Sequence, residues 1–217
     1  LSVARRQPSA ASQAIIRPMP GRVDPPAVHC ISAALPDVQA DLMCVPVFEE
    51  EAPEALGSVD AALGGSLSRA RASGEFRGQL HELFWADITD AAWQTRRALL
   101  VGAGGSDRYD TTRARMVAGT AGLAARERRV RRLAFVARGP GEISPMAQAA
   151  VEGVLVGAFR DTRFKTDDGG SPPLTSVVLH VARDLETATR AAVERGAQLA
   201  DCANLARELS NEPGNLL

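Results

Sequence analysis

Short, almost uninterrupted apolar runs, alternating with longer segments of helical periodicity, constrain this chain more than any other feature. The clearest run is Leu42-Met43-Cys44-Val45, inside a strand-like segment at 41–48. A strand covered on one face alternates apolar and polar residues, so an unbroken run suits a strand buried on both faces of a sheet. Further strand-like segments lie at 28–35, 81–85, 97–101, 133–136 and 175–181. Helical patterns occupy 54–72, 110–129, a segment opening at Ser144-Pro145, and 184–209. Strands alternating with helices define an α/β class, here a mixed β-sheet flanked by helices and followed by a long helix.

Local signals divide the elements. Turns are expected at Gly74 and Gly78, at Gly102-Ala103-Gly104-Gly105 and at Gly139-Pro140-Gly141. Asp110 suits an N-cap, because a short acidic side chain satisfies free helix N–H groups. Ser144-Pro145 places a cap and a first-turn proline in the favoured order. The next helix carries Met146, Ala150, Gly153 and Gly157 at helical spacing. Glycine is costly inside a helix, so this stripe implies close approach of a sheet or another helix. Residues 167–173 read as a loop. In the last helix Leu185, Ala188, Ala192, Gly196, Leu199, Ala203 and Ala206 form one apolar face. At 1.5 Å per residue that helix spans ~39 Å, a length suited to bridging to another domain. Its exposed apolar face implies that the domain self-associates when isolated.

The expected organisation is a flexible extension at 1–27, an α/β domain at 28–183, and a linker helix with the start of a further domain at 184–217. The extension carries Pro8, Pro18, Pro20 and the Pro25-Pro26 pair, with four arginines and no acid in its first 23 residues. The whole chain has 217 residues and a net charge of -1, which gives no global attraction to nucleic acid or anionic membrane. Cys30, Cys44 and Cys202 are odd in number and form no CxxC pair, which fits a reducing cytoplasm. No apolar run approaches the ~20 residues that span a bilayer.

Five segments, in order, resemble the N-terminal domain of leucyl aminopeptidases of the M17 metallopeptidase family. They are the stretch from Ala40 to Glu49, Ser73-Gly74-Glu75-Phe76-Arg77-Gly78, Leu99 to Gly104, Ala150-Val151-Glu152-Gly153 continuing to Phe164-Lys165, and Asn204 to Asn215. The last is the most specific. Asn204, Arg207, Asn211, Pro213 and Asn215 carry it, with the Asn-x-Pro-x-Asn turn that opens the family's catalytic domain. Phe159-Arg160-Asp161-Thr162-Arg163-Phe164 departs from the family's more tyrosine-rich pattern.

The resemblance implies a macro-domain-like α/β fold joined by a long helix to a catalytic domain that removes N-terminal, leucine-like residues from peptides. It further implies two divalent metals (Zn or Mn) in that catalytic domain, a homohexamer, and a cytoplasmic location. The family's Asn-Thr-Asp-Ala-Glu-Gly-Arg signature is absent from these 217 residues, so no residue here inherits a catalytic, cofactor-binding or metal-binding role. The segment's own work would be assembly or regulation.

Other chemistries find little support in the residues themselves. His29, Cys30, Cys44, His81, His180, Cys202 and the Asp167-Asp168 pair lack metal-ligand spacing such as HxxxH or CxxC. The three histidines fall in strand-like segments and Cys202 among helical alanines, where a small buried side chain suffices. Gly102 to Ser106 could cradle a phosphate between strand and helix, but Asp107 stands where a dinucleotide site needs glycine. A freestanding macro-like module for ADP-ribose or a nucleotide is therefore the alternative. Arg126, Arg128, Arg129, Arg131 and Arg132 would suit DNA less well, since Glu127 interrupts them and aromatic neighbours are missing. Glu49-Glu50-Glu51 reads as solvent-facing charge, and Trp85 and Trp93 as packing anchors.

Overall fold

Strand β2 (Leu42–Phe48) is buried at every position because it lies inside a six-stranded sheet with helices on both faces. The structure, a computed structural model, describes residues 24–161 and 173–213. The other strands are β1 (Ala27–Ile31), β3 (Leu83–Asp87), β4 (Arg97–Gly104), β5 (Arg132–Val136) and β6 (Ser176–His180). Their order is β1-β6-β5-β2-β4-β3, and every pair is parallel except β3 with β4. The helices are α1 (Gly57–Ala62), α2 (Ser66–Ser73), α3 (Thr111–Glu127), α4 (Ile143–Ala158) and α5 (Glu186–Ser210).

Alternation along each strand divides the core into two layers. Leu42, Cys44, Leu99, Leu133, Phe135 and Leu179 face α3, α4 and α5. Met43, Val45, Leu100, Ala134 and Val136 face α1, α2, Phe76 and Trp93. Both sides of the central strands are thus sealed, which accounts for the unbroken apolar run. The mixed sheet, the flanking helices and the long last helix agree with the expected class.

Several boundaries differ from expectation, each for a local reason. The single helix expected at 54–72 is broken, because Gly64 and Gly65 take φ of 61° and 75°. A left-handed pair cannot continue a right-handed helix. Asp60 then reaches across the break and accepts from the Leu67 amide (2.9 Å) and the Ser68 hydroxyl (2.5 Å), which caps α2. β1 ends at Ile31, ahead of a 3₁₀ turn at Leu35–Asp37 that carries Pro36. β3 starts two residues late, and His81 sits in a turn with φ of 70°. Asp110 caps α3 as expected, accepting from the Arg113 amide at 2.8 Å. Ser144 does not cap α4, since its hydroxyl donates to the Ala188 carbonyl of the next helix.

The glycine stripe of α4 meets a helix, and that helix answers with glycines of its own. A methyl group added at Gly153 would stand 2.2 Å from the Arg115 carbonyl, and one at Gly157 2.1 Å from the Gly119 carbonyl. From the opposite side, one at Gly122 would stand 2.2 Å from the Val154 carbonyl. α3 and α4 therefore touch backbone to backbone. α5 packs on α4 in the same manner through Gly196, whose added Cβ would lie 2.7 Å from the Gln148 carbonyl.

That contact also sets the rotation of α5, and it corrects the apolar face read from sequence. The inward positions are Thr189, Val193, Gly196 and Ala200, so of the expected stripe only Gly196 is buried. Ala188, Leu199, Ala203 and Ala206 remain exposed. The error is one residue, or ~100° of helix rotation.

These contacts predict opposite outcomes for two kinds of glycine. Gly153→Ala and Gly157→Ala should each lower stability by about 1–3 kcal/mol, because neither neighbouring carbonyl can retreat without parting the helices. Gly57 has helical φ and nothing within 4 Å of an added Cβ. Gly57→Ala should raise stability by about 0.4–1 kcal/mol. Urea-unfolding midpoints check both.

Candidate functional site

In open α/β sheets, ligands usually bind beyond the carboxyl ends of the parallel strands. In this chain that edge is filled by its own side chains. Gly104 has φ of 72°, and its amide donates to the Gly78 carbonyl at 2.9 Å. The Ser106 amide donates to the Glu50 carboxylate at 2.8 Å, so a carboxylate holds the place a phosphate oxygen would need. The Ser106 contact keeps the Glu50 carboxyl below its usual range. These pairings count against the Gly102 to Ser106 turn as a phosphate cradle.

Deeper in the same edge, Arg138 pairs with Glu51 and donates to the Pro46 carbonyl at 2.8 Å. Arg71 donates to the Phe48 and Glu49 carbonyls. Glu49 and Glu50 are exposed as expected, but Glu51 is turned inward by Arg138 and the Phe48 amide, which corrects its reading as solvent-facing. Phe48 and Tyr109 meet edge to face at 5.0 Å, and Gly139, with φ of 128°, lies against the Tyr109 ring. Burial pushes the Tyr109 phenol up to about 12, although nearby Arg138 pulls the other way.

Tyr109 is the only tyrosine, so it reports on this plug without interference. Its stabilising contribution should be fully present below the ordinary phenol value of about 10. It should be lost as pH rises through about 12. Phenolate absorbance should accordingly appear near pH 12 in the folded chain and near pH 10 in urea.

The remaining sequence candidates are dispersed. His29 is exposed on β1, His81 bonds Thr120 through Nδ1 (2.7 Å), and His180 bonds the Ala33 carbonyl through Nε2 (2.7 Å). Cys30 lies 3.2 Å from the Thr189 hydroxyl, and Cys44 is buried in β2. Cys202 is exposed, which corrects its reading as a small buried side chain. Among the described residues, no group of three or more His, Cys, Asp or Glu is placed to hold a metal ion. Asp167 and Asp168 lie outside the described residues.

The arginine cluster is scattered among structural partners. Arg126 donates to the Phe159 carbonyl (2.8 Å), Arg128 stacks on Trp85 (4.9 Å), and Arg132 pairs with Asp41 (2.7 Å). Trp85 is half-buried under Arg128 and Arg97, and Trp93 is buried in the core.

The residues that do converge are those of the last helix. A helix leaves its final carbonyls without internal partners. At the end of α4 these are met from α5: Asn204 donates to the Leu155 carbonyl (3.2 Å) and Arg207 to the Val156 carbonyl (3.0 Å). Arg207 also donates to the Asn204 side-chain oxygen (3.3 Å) and stacks on Phe159 at 4.4 Å. Asn211 ends α5 with its amide on the Arg207 and Glu208 carbonyls, while its side chain donates to Asp161 at 3.3 Å. Pro213 follows in exposed, non-helical chain, and Asn215 lies outside the described residues.

Beside this clamp lies a groove of about 610 Å³ between α3, α4 and α5. Gly119, Gly153 and Gly157 form its floor, and Leu123, Val156, Leu199 and Ala203 its apolar walls. Arg126 and Arg207 stand at the rim, as does Arg115, which pairs with Glu152 at 2.7 Å. Leu123 and Val156 were not singled out in the sequence, where each is one apolar residue in an otherwise ordinary helical face.

The clamp should carry modest, separable energies. Asn204→Ala and Arg207→Ala should each cost about 1 kcal/mol, the net value of a typical internal hydrogen bond. Arg207→Lys should fail to restore the loss, because an ammonium cannot stack flat on Phe159. Denaturant titration of the 217-residue chain gives the comparison.

Fold and site together define a three-layer α/β domain whose last helix is fastened by its own polar side chains. The chain belongs to the cytosol aminopeptidase family: the family model for its N-terminal domain matches residues 44–168. A probable cytosol aminopeptidase of Solibacter usitatus (strain Ellin6076) is 34% identical over 183 residues, which cover 84% of this chain and 35% of that protein. One from Thermosynechococcus vestitus is 31% identical over 195 residues, covering 87% and 38% respectively. The chain thus spans little more than a third of these relatives' length. Among solved structures, a tomato leucine aminopeptidase mutant aligns with a TM-score of 0.72 at 23% identity, over 91% of this chain and 41% of that one. The bottromycin maturation enzyme BotP, solved in complex with Mn, aligns at 0.59 and 24%, over 80% and 32%. At these identities the structural matches speak to the fold alone.

Proposed function

We propose that this segment is the non-catalytic N-terminal domain of a two-metal aminopeptidase that removes N-terminal, leucine-like residues from peptides. The observation that carries the reading is the Asn204–Arg207–Asn211 clamp, which fixes the end of α5 against the last carbonyls of α4 and against Asp161. Residues that resemble a family signature are thereby the ones that fasten the helix end. α5 acts as the linker helix, and residues 28–183 form the body of the domain. By the family resemblance, two divalent ions, Zn or Mn, belong to the catalytic domain. The domain serves assembly or regulation within a cytoplasmic homohexamer, in which it contacts its own catalytic domain.

The test uses the 217-residue chain beside the protein translated from the gene read past Leu217. With Mn²⁺ or Zn²⁺ and a chromogenic leucine anilide, the short chain should give no hydrolysis above the metal blank. The longer protein should turn over. Hydrolysis by the short chain, or an open reading frame that ends at Leu217, would sink the proposal.

A further inference from the structure

The groove between α3, α4 and α5 has two unlike ends. Along α3 it runs from Arg115 to Arg126, a rise of ~16 Å at 1.5 Å per residue. At the first end stands Glu152, the one acidic residue among the described lining. It is already matched, since it pairs with Arg115 at 2.7 Å and accepts from the Gln148 side-chain amide at 2.8 Å. At the other end Arg126 and Arg207 converge on Phe159. Arg126 donates to the Phe159 carbonyl at 2.8 Å, and Arg207 stacks on the Phe159 ring. Arg207 also donates to the Val156 carbonyl and the Asn204 side-chain oxygen. All three acceptors are neutral, so these bonds position two guanidiniums without cancelling their charge.

Between the ends the walls are aliphatic. Leu123 is 39%, Val156 36% and Leu199 47% exposed, with Ala203 beside them. The peptide groups of the glycine floor are engaged within their own helices, so the floor supplies shape and no ladder of free hydrogen bonds.

We infer that this groove is a binding site for a short aliphatic peptide, held by its C-terminal carboxylate on Arg126 and Arg207. Positive charge confined to one end matches a single terminal carboxylate, the group that guanidiniums bind most readily. A nucleotide would bring a base, and the described walls hold no aromatic ring on which to stack it. A fatty acid would set its methyl end against the Arg115–Glu152 ion pair, where a peptide's ammonium end can share the Glu152 carboxylate. An extended chain advances ~3.3 Å per residue, so about four residues fill the length. The volume of about 610 Å³ suits a ligand of that size. This goes beyond the proposed function, in which another domain attacks the amino end of a peptide. Here the carboxyl end is read, and the test needs no hydrolysis, so the two readings fail separately.

Isothermal titration of the 217-residue chain with the peptide Ala-Leu-Ala-Leu should show one site. The C-terminal amide of that peptide, and Ala-Ser-Ala-Ser, should each bind at least tenfold more weakly. Arg126→Gln should cause a similar loss. So should Ala203→Glu, which sets a carboxylate one turn before Arg207 from an exposed position. Ala203→Glu breaks no hydrogen bond of the fold, so its urea midpoint should match the parent's and separate lost binding from lost structure.

Absence of binding, or equal affinity for acid and amide, would overturn the inference. Binding that survives both substitutions would place the peptide elsewhere and overturn it too. Decanoate bound more tightly than the peptide would assign the groove to fatty acids. Self-association abolished by Ala203→Glu, without peptide binding, would assign it to a second copy of the chain. Either result would sink the peptide site.

Discussion

The backbone contact between α3 and α4 is the constraint on which the rest of this domain depends. Gly122, Gly153 and Gly157 bring the two helices so close that no side chain separates them. Each glycine carries an entropic cost in a helix, of about 1 kcal/mol relative to alanine. The close approach offsets it in two ways. It lets both helices rest together on the sheet face built from Leu42, Leu99, Leu133 and Leu179. It also brings the end of α4 within reach of Arg126 from α3 and of Asn204 and Arg207 from α5. The groove is a by-product of the same packing, since glycine leaves a floor without side chains between flanking leucines and valine.

Much of this was legible in the sequence, and the failures have physical causes. Central strands declare themselves when both faces are apolar, so β2, β4 and β5 were placed within a few residues. The Asp110 cap and the glycine stripe were legible because each serves a local or near-local contact. The break at Gly64-Gly65 was missed because the alanine-rich flanks keep helical periodicity through it. The rotation of α5 was missed because alanine lies on nearly every side of that helix. Gly196, pressed on the Gln148 carbonyl, fixes together with Val193 and Ala200 which side turns inward. Glu51 was misread because nothing in the sequence ties it to Arg138, 87 residues away.

The carboxyl edge of the sheet illustrates how a ligand-binding architecture can be closed from within. Parallel strands and glycine-rich turns leave amides and a crevice at this edge in many α/β proteins. Here Glu50 takes the Ser106 amide, Arg138 and Glu51 neutralise each other, and the Phe48–Tyr109 pair supplies bulk. Desolvating an arginine–glutamate pair costs nearly as much as the pair returns. Its stronger effect is on shape, because the carbonyls of Pro46 and Phe48 are held by Arg138 and Arg71 rather than left for a visitor.

α5 divides its work between its two halves, and the division follows from the difference between apolar and polar contacts. Val193, Gly196 and Ala200 fix the first half by close packing, which is strong but tolerates small rotations. Asn204, Arg207 and Asn211 fix the second half by hydrogen bonds, which contribute little each but demand a particular angle. Stability alone would be served better by turning Leu199, Ala203 and Ala206 inward. Polar contacts on the inner side instead give the helix end a defined direction and leave its apolar side outward.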